Sequence, residues 1–238
     1  GFEEFLIAND FGEDAIVHLR KSVEQKQPLS PEVHDKVLSL FKRYLLVGGM
    51  PDAVNEYLNS HNIVKVREVQ EAIRELYGVD ASRYEEDAAK KLYIRRIYDM
   101  IPSQMENKKK RIVAKDILDR KGDRFSNYVE EFEYLINSGI TIPSHAISNP
   151  KYPLAESQQK NLLKLYMNDV GMLTSQLYHY NIQPILNDIA SINLGSVYES
   201  AVAQELKAHY EKLFYYDNKQ KGKVNFLVDA SGTLRVRR

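Results

Sequence analysis

From Pro31 to Met100 the chain repeats one pattern: apolar residues at three- and four-residue spacing, in runs several of which are bounded by proline or glycine. That spacing is the period of an α-helix, so this stretch predicts packed amphipathic helices rather than a sheet. Ser30-Pro31-Glu32 supplies an N-cap, a proline in the first turn and an early acid. Leu38, Phe41, Leu45 and Leu46 continue the helical face through Val47, and Gly48-Gly49 ends it. Pro51 opens another helix through Tyr57. Residues 62–78 predict a longer one, with Val66, Val69, Ile73 and Leu76 on one face. A further helix is expected over Ala88–Met100, ending ahead of Pro102. Upstream, Phe5, Leu6, Ile16, Val17 and Leu19 predict two short helices separated near Asn9–Gly12. A bundle of this kind needs no cofactor to hold it together.

Beyond Ile112 the pattern changes. A short helix near Ala114–Leu118 leads into the turn Lys121-Gly122-Asp123, and Ser126 is expected to cap a helix whose Val129, Phe132, Leu135 and Ile136 face inward. Gly139 closes that helix, and Ile140–Ile147 reads as a strand or wing. Helix, turn, helix, strand is the outline of a winged-helix unit, a frequent reader of nucleic acid. Its second helix carries Glu130, Glu131 and Glu133, which would oppose phosphates. A winged helix used for packing or protein contacts fits those acids better.

A proline-containing loop, Asn149–Ala155, is expected to separate this unit from an α/β tail. In the tail, Leu162–Met167, Leu213–Tyr216, Val224–Val228 and Thr233–Val236 read as strands. Asp169–Leu177 and Ser196–Tyr210 read as helices, the second with Val197, Ala201, Val202, Ala203 and Leu206 on its apolar face. The expected fold class is α+β, mainly α. Its segments are a helical region at 1–104, a winged-helix-like unit at 105–150 and an α/β domain at 151–238.

With no cysteine, the chain cannot form disulfides, zinc–thiolate sites or iron–sulfur clusters, nor use a thiol nucleophile. No apolar run approaches the ~18–20 residues needed to span a bilayer, so no membrane association is expected and a cytoplasmic protein fits best. Lys plus Arg and Asp plus Glu each number 33, but the balance is not local. Residues 1–34 are acidic, whereas residues 90–124 carry twelve Lys or Arg against five Asp or Glu. Lys108, Lys109, Lys110 and Arg111 in this stretch are candidate contacts to a nucleic-acid backbone. A wet face whose cations pair with nearby acids is the simpler account. No phosphate-binding Gly-x-x-x-x-Gly-Lys-Ser/Thr loop, no Gly-x-Ser-x-Gly elbow and no pair of histidines at i, i+4 is present. Phe214-Tyr215-Tyr216 could stack on bases or pack within a strand.

Five segments, in order, carry a family resemblance. Tyr44-Leu45-Leu46-Val47-Gly48-Gly49-Met50-Pro51 resembles the signature of uncharacterised prokaryotic AAA+-like ATPases in which a carboxy-terminal domain of unknown function follows the P-loop domain. Phe2-Glu3-Glu4-Phe5-Leu6 resembles the end of the ATPase portion, and Ile101-Pro102-Ser103-Gln104 a mid-domain segment. Asn168-Asp169-Val170-Gly171-Met172-Leu173 resembles the Asp-Val-Gly-Leu-Leu element, and residues 195–206 the helix before the final sheet. The double glycine reads as architecture, a tight helix–helix turn.

The resemblance implies that the chain is the carboxy-terminal part of a longer protein, with ATP and Mg²⁺ bound upstream and no cofactor or metal bound here. It also implies a restriction-endonuclease-like tail, in which a helix Glu, a strand Asp and a following Glu-x-Lys hold the Mg²⁺ that activates water. Glu199 matches the helix acid as a catalytic candidate, and it reads equally as an acid near a helix N-terminus, where the dipole favours it. Lys223-Val224-Asn225-Phe226 stands where the family has Glu-Val-Asp-Phe, so neutral Asn225 replaces the metal-binding aspartate. No Glu-x-Lys follows within the chain, and a single carboxylate makes a poor Mg²⁺ site. The expectation is therefore a non-catalytic accessory region that binds nucleic acid or a protein partner. The alternatives are a Mg²⁺-dependent nuclease completed beyond Arg238 and a pure protein-interaction module.

Overall fold

The computed structural model describes residues 1–84, 87–107, 110–187, 194–230 and 233–237, of which 81–84, 230 and 233–237 are described by backbone alone. The fold is α+β and mainly α, with eleven α-helices and one five-stranded sheet among the described residues. Two compact units share the chain, and neither is continuous. One comprises Gly1–Ala72 and Asp169–Val197, the other Ile73–Asn168 and Tyr198–Arg238. This division differs from the expected segments 1–104, 105–150 and 151–238.

The first unit is helical. It contains α1 (Phe2–Ala8), α2 (Glu13–Gln25), α3 (Pro31–Val47), α4 (Pro51–Ser60), the start of α5 (Ile63–Tyr84), α9 (Val170–Tyr178) and α10 (Gln183–Leu186). Ser30 caps α3 as expected, accepting the Val33 N–H while Pro31 takes the first turn. Tyr44 to Val47 are completely buried, and Phe5, Tyr44 and Tyr57 pack ring against ring. Leu6, Phe11, Ile16 and Leu40 form a second apolar cluster. The face expected on α5 is only partly realised. Val66 is buried, but Leu76 stands exposed, and the buried places beside Val66 belong to Arg67 and Gln70.

The second unit holds the rest of α5, α6 (Ala88–Glu106), α7 (Lys115–Leu118), α8 (Val129–Asn137), α11 (Gly195–His209) from Tyr198 onward, and the sheet. Helix α6 runs through Pro102 instead of ending before it. Proline removes one helical N–H, and Ile101, Gln104 and Met105 offset that loss by burying the last turn. Ser126 does not cap α8. It lies in a 3₁₀ turn, Phe125–Tyr128, that leads straight into the helix.

The strands are β1 (Thr141–Ile147), β2 (Gln158–Met167), β3 (Leu213–Asn218), β4 (Gly222–Ala230) and β5 (Thr233–Arg237), in spatial order β2-β1-β3-β4-β5. β1 and β2 pair antiparallel, so the 149–155 loop closes a hairpin instead of parting two domains. β1 and β3 are parallel, and β3, β4 and β5 form an antiparallel meander. Register assigns the faces, because paired residues share a side and side chains alternate along each strand. Ser144, Lys164, Tyr166, Leu213 and Tyr215 share one face. Ile147, Phe214, Tyr216 and Leu227 form an apolar cluster on the other, closed by Leu154. The 214–216 aromatics are therefore all buried packing residues.

Candidate functional site: a buried carboxylate between two lysines

Alternation on β2 places Lys164 and Tyr166 on the same face as Ser144 of β1, and α11 lays Glu199 against them. The Lys164 ammonium donates to Glu199 Oε1 at 2.8 Å, and the Tyr166 hydroxyl donates to the same oxygen at 2.7 Å. Lys110 donates to Oε2 at 2.9 Å. The side chains of Glu199 and Lys164 are only 5% and 1% exposed, and that of Lys110 15%. Lys164 also lies 4.8 Å from the centre of the Tyr215 ring, a cation–π distance. Beside the cluster, Arg111 pairs with Asp217 at 2.9 Å.

The electrostatics follow from this arrangement. Burial alone would raise the Glu199 carboxyl, but the Lys164 ammonium and the hydrogen bonds from Lys164, Lys110 and Tyr166 hold it down at about 2. Burial lowers Lys164, and Glu199 pulls it back up. Tyr166 is pushed well above its ordinary value, first by burial and then by the adjacent carboxylate, so it remains a donor. Burial likewise raises Tyr215 to about 12. Glu199 is therefore an ionised acceptor whose two oxygens are already engaged by two cations and a phenol. Both oxygens of the carboxylate thus accept from side chains of the chain itself.

The residues singled out in the sequence come together only in part. Glu199 and Lys110, candidates for a metal and a phosphate contact respectively, are partners of each other. Arg111 is engaged with Asp217. Lys108 and Lys109 lie outside the described residues. Asn225 stands half-buried on β4 and makes no hydrogen bond to Glu199. Among the described residues no group of three or more His, Asp or Glu is placed to hold a metal ion, and no helix is long and apolar enough to cross a membrane.

Two features escaped the sequence reading. Lys164 and Tyr166 were hidden in an apolar run, where the only signal was a lysine interrupting Leu162–Met167. The second feature is a network in the helical unit that joins both glycine-bearing segments. Asp169 caps α9 by accepting the Gly171 and Met172 N–H groups, and its other oxygen accepts the Gly49 N–H at 2.6 Å. A Cβ on Gly48 would stand 1.9 Å from Asp169 Oδ1, and one on Gly171 would stand 2.6 Å from the Val47 carbonyl. Both glycines are required by close approach. Arg67, 2% exposed, donates to the carbonyls of Leu46, Gly171 and His179 and to Gln70 and Thr174. Burial lowers its guanidinium to about 10. These groups brace α3, α5 and α9, so this network is architecture.

No curated protein and no solved structure matches the chain. Residues 38–181 match a family described as a domain of unknown function, DUF8612. That stretch covers more than half of the chain, and the chain belongs to this family.

Proposed function

We propose that this chain is a non-catalytic binding region, of the kind carried behind a P-loop ATPase core, and that it takes a protein partner in preference to nucleic acid. One observation carries the reading: Glu199, the acid that a nuclease-like tail would use for its metal, is engaged by Lys164, Lys110 and Tyr166. Lys110 and Arg111 spend their charge on Glu199 and Asp217. The order α7, α8, β1 is that of a winged-helix unit, and α8 presents exposed Glu133, which opposes phosphates, beside Glu130, which pairs with Lys90.

The test is a cleavage assay on duplex and single-stranded DNA with Mg²⁺ or Mn²⁺, together with DNA-binding anisotropy at about 50 and 200 mM salt. The expected result is no cleavage and no salt-sensitive binding. Binding that falls steeply with salt and disappears in Lys110→Ala or Arg111→Ala would overturn the preference for protein. A second reading, a Mg²⁺ nuclease completed beyond Arg238, draws support from the order α11, β3, β4, β5, a helix followed by an antiparallel meander. It requires metal-dependent cleavage that Glu199→Gln abolishes without loss of fold.

A further inference from the structure

Helices α5, α6 and α8 enclose a cavity of about 460 Å³ in the second unit, within the range of small-molecule sites. Its apolar wall is formed by Ile94, Leu135 and Ile140, and Tyr77 and Tyr98 meet edge to face beside it at 6.0 Å. Tyr77 is fixed in place, its hydroxyl accepting a 3.1 Å hydrogen bond from the Asn168 side-chain amide.

Charge lines the same cavity without imbalance. Arg74 and Arg95 both approach Asp99, at 3.0 and 3.6 Å, and Glu75 makes the fourth charged wall residue. Arg95 approaches Asp99 through Nε, and its side chain is 69% exposed, so its guanidinium is open to a further partner. A wall carrying two cations and two anions suits a ligand with both charges and no net charge.

Gly78, exposed on α5, also lines this cavity. It lies inside α5, where glycine is the costliest residue after proline. Close approach explains Gly48 and Gly171, but a Cβ on Gly78 would meet nothing within 4 Å. Packing therefore does not demand glycine there, and a bulky side chain at this lining position is the natural probe of the cavity.

We infer that this cavity binds a small zwitterion with an aromatic side chain, of the aromatic amino acid class. The ring lies among Ile94, Leu135, Ile140 and the tyrosine pair, the ligand carboxylate meets Arg95, and its ammonium meets Glu75. This site is independent of the Glu199 cluster and of the binding role proposed above.

The chain contains no tryptophan, so L-tryptophan is itself a clean fluorescent probe. Saturable binding with a rise in anisotropy is expected. Tryptamine and indole-3-acetate, each lacking one charge, should bind about tenfold more weakly. Arg95→Gln should weaken L-tryptophan several-fold and leave tryptamine unchanged. Gly78→Leu should abolish binding, and Gly78→Ala should raise the melting temperature and preserve the fold. Lack of saturation at about 10 mM L-tryptophan, equal binding of all three probes, or wild-type binding by a folded Gly78→Leu variant would overturn the assignment. If Gly78→Leu does not fold, the Arg95→Gln comparison decides alone: equal loss of tryptamine and L-tryptophan refutes it.

Discussion

Replacing Glu199 with glutamine removes the carboxylate that accepts from both Lys164 and Lys110 while keeping the side chain's size. Holding a carboxyl at about 2 instead of its ordinary 4.5 corresponds to about 3 kcal/mol of stability, given about 1.4 kcal/mol per tenfold change. An independent route gives a similar figure, since breaking a buried ion pair by deleting one partner costs about 3–5 kcal/mol. Urea unfolding at pH 7, followed by near-ultraviolet circular dichroism from the tyrosines, should show a loss of about 3 kcal/mol, with faster hydrogen exchange in β2 and α11. The pH dependence has a definite sign. A carboxyl depressed in the folded state contributes its full stability above the ordinary value near 4.5, and that contribution drains away as pH falls toward 2. The wild-type advantage over Glu199→Gln should therefore be complete at pH 6 and shrink steadily below pH 5. Exchanging the buried pair for apolar residues, Glu199→Leu with Lys164→Met, should recover only part of the loss, because the buried Tyr166 hydroxyl still loses its acceptor. A cost under about 1 kcal/mol for Glu199→Gln, or an advantage that does not change between pH 6 and 2, would refute the reasoning.

Other substitutions test the architecture. Gly171→Ala pushes a methyl against the Val47 carbonyl and the Gly48 nitrogen, both backbone, and should cost about 2–4 kcal/mol by calorimetry. Gly48→Ala meets both the Asp169 carboxylate and a φ of 78°, so Asp169→Ala should not rescue it fully. Arg67→Met removes a donor from the carbonyls of Leu46, Gly171 and His179, the first two keeping Gln70 and Thr174 respectively, and should lower stability by about 2 kcal/mol; Arg67→Lys should recover little, because one ammonium cannot reproduce the planar fork.

The helical region was readable because each signal is local. Ser30-Pro31 and Gly48 mark the ends of α3 through capping and backbone geometry that involve only neighbouring residues. Pro102 misled for the complementary reason: its local cost is real, but burial of Ile101 and Met105 outweighs it. The site was legible only as separate residues. Glu199 and Lys110 each stood out, yet their partnership spans 89 positions, and Lys164 reaches Glu199 across 35. Arg67 finds Thr174 across 107. A cation in an apolar stretch looks like a solvated interruption until topology brings its acceptors. The 149–155 loop misled similarly, since its prolines suit a linker and a hairpin loop equally, and only the β1–β2 pairing distinguishes them.

The interleaving of the two units constrains the order of events during synthesis. Residues 1–72 leave the ribosome with their apolar faces ready, but Asp169, Gly171 and Thr174, the groups that satisfy Gly49, Arg67 and the Leu45 carbonyl, emerge about a hundred residues later. Until then the nascent chain carries a buried-type arginine and an uncapped glycine turn, so slow, late closure is the expected kinetic signature. The same connectivity means that cutting the chain at residue 168 would leave neither unit whole.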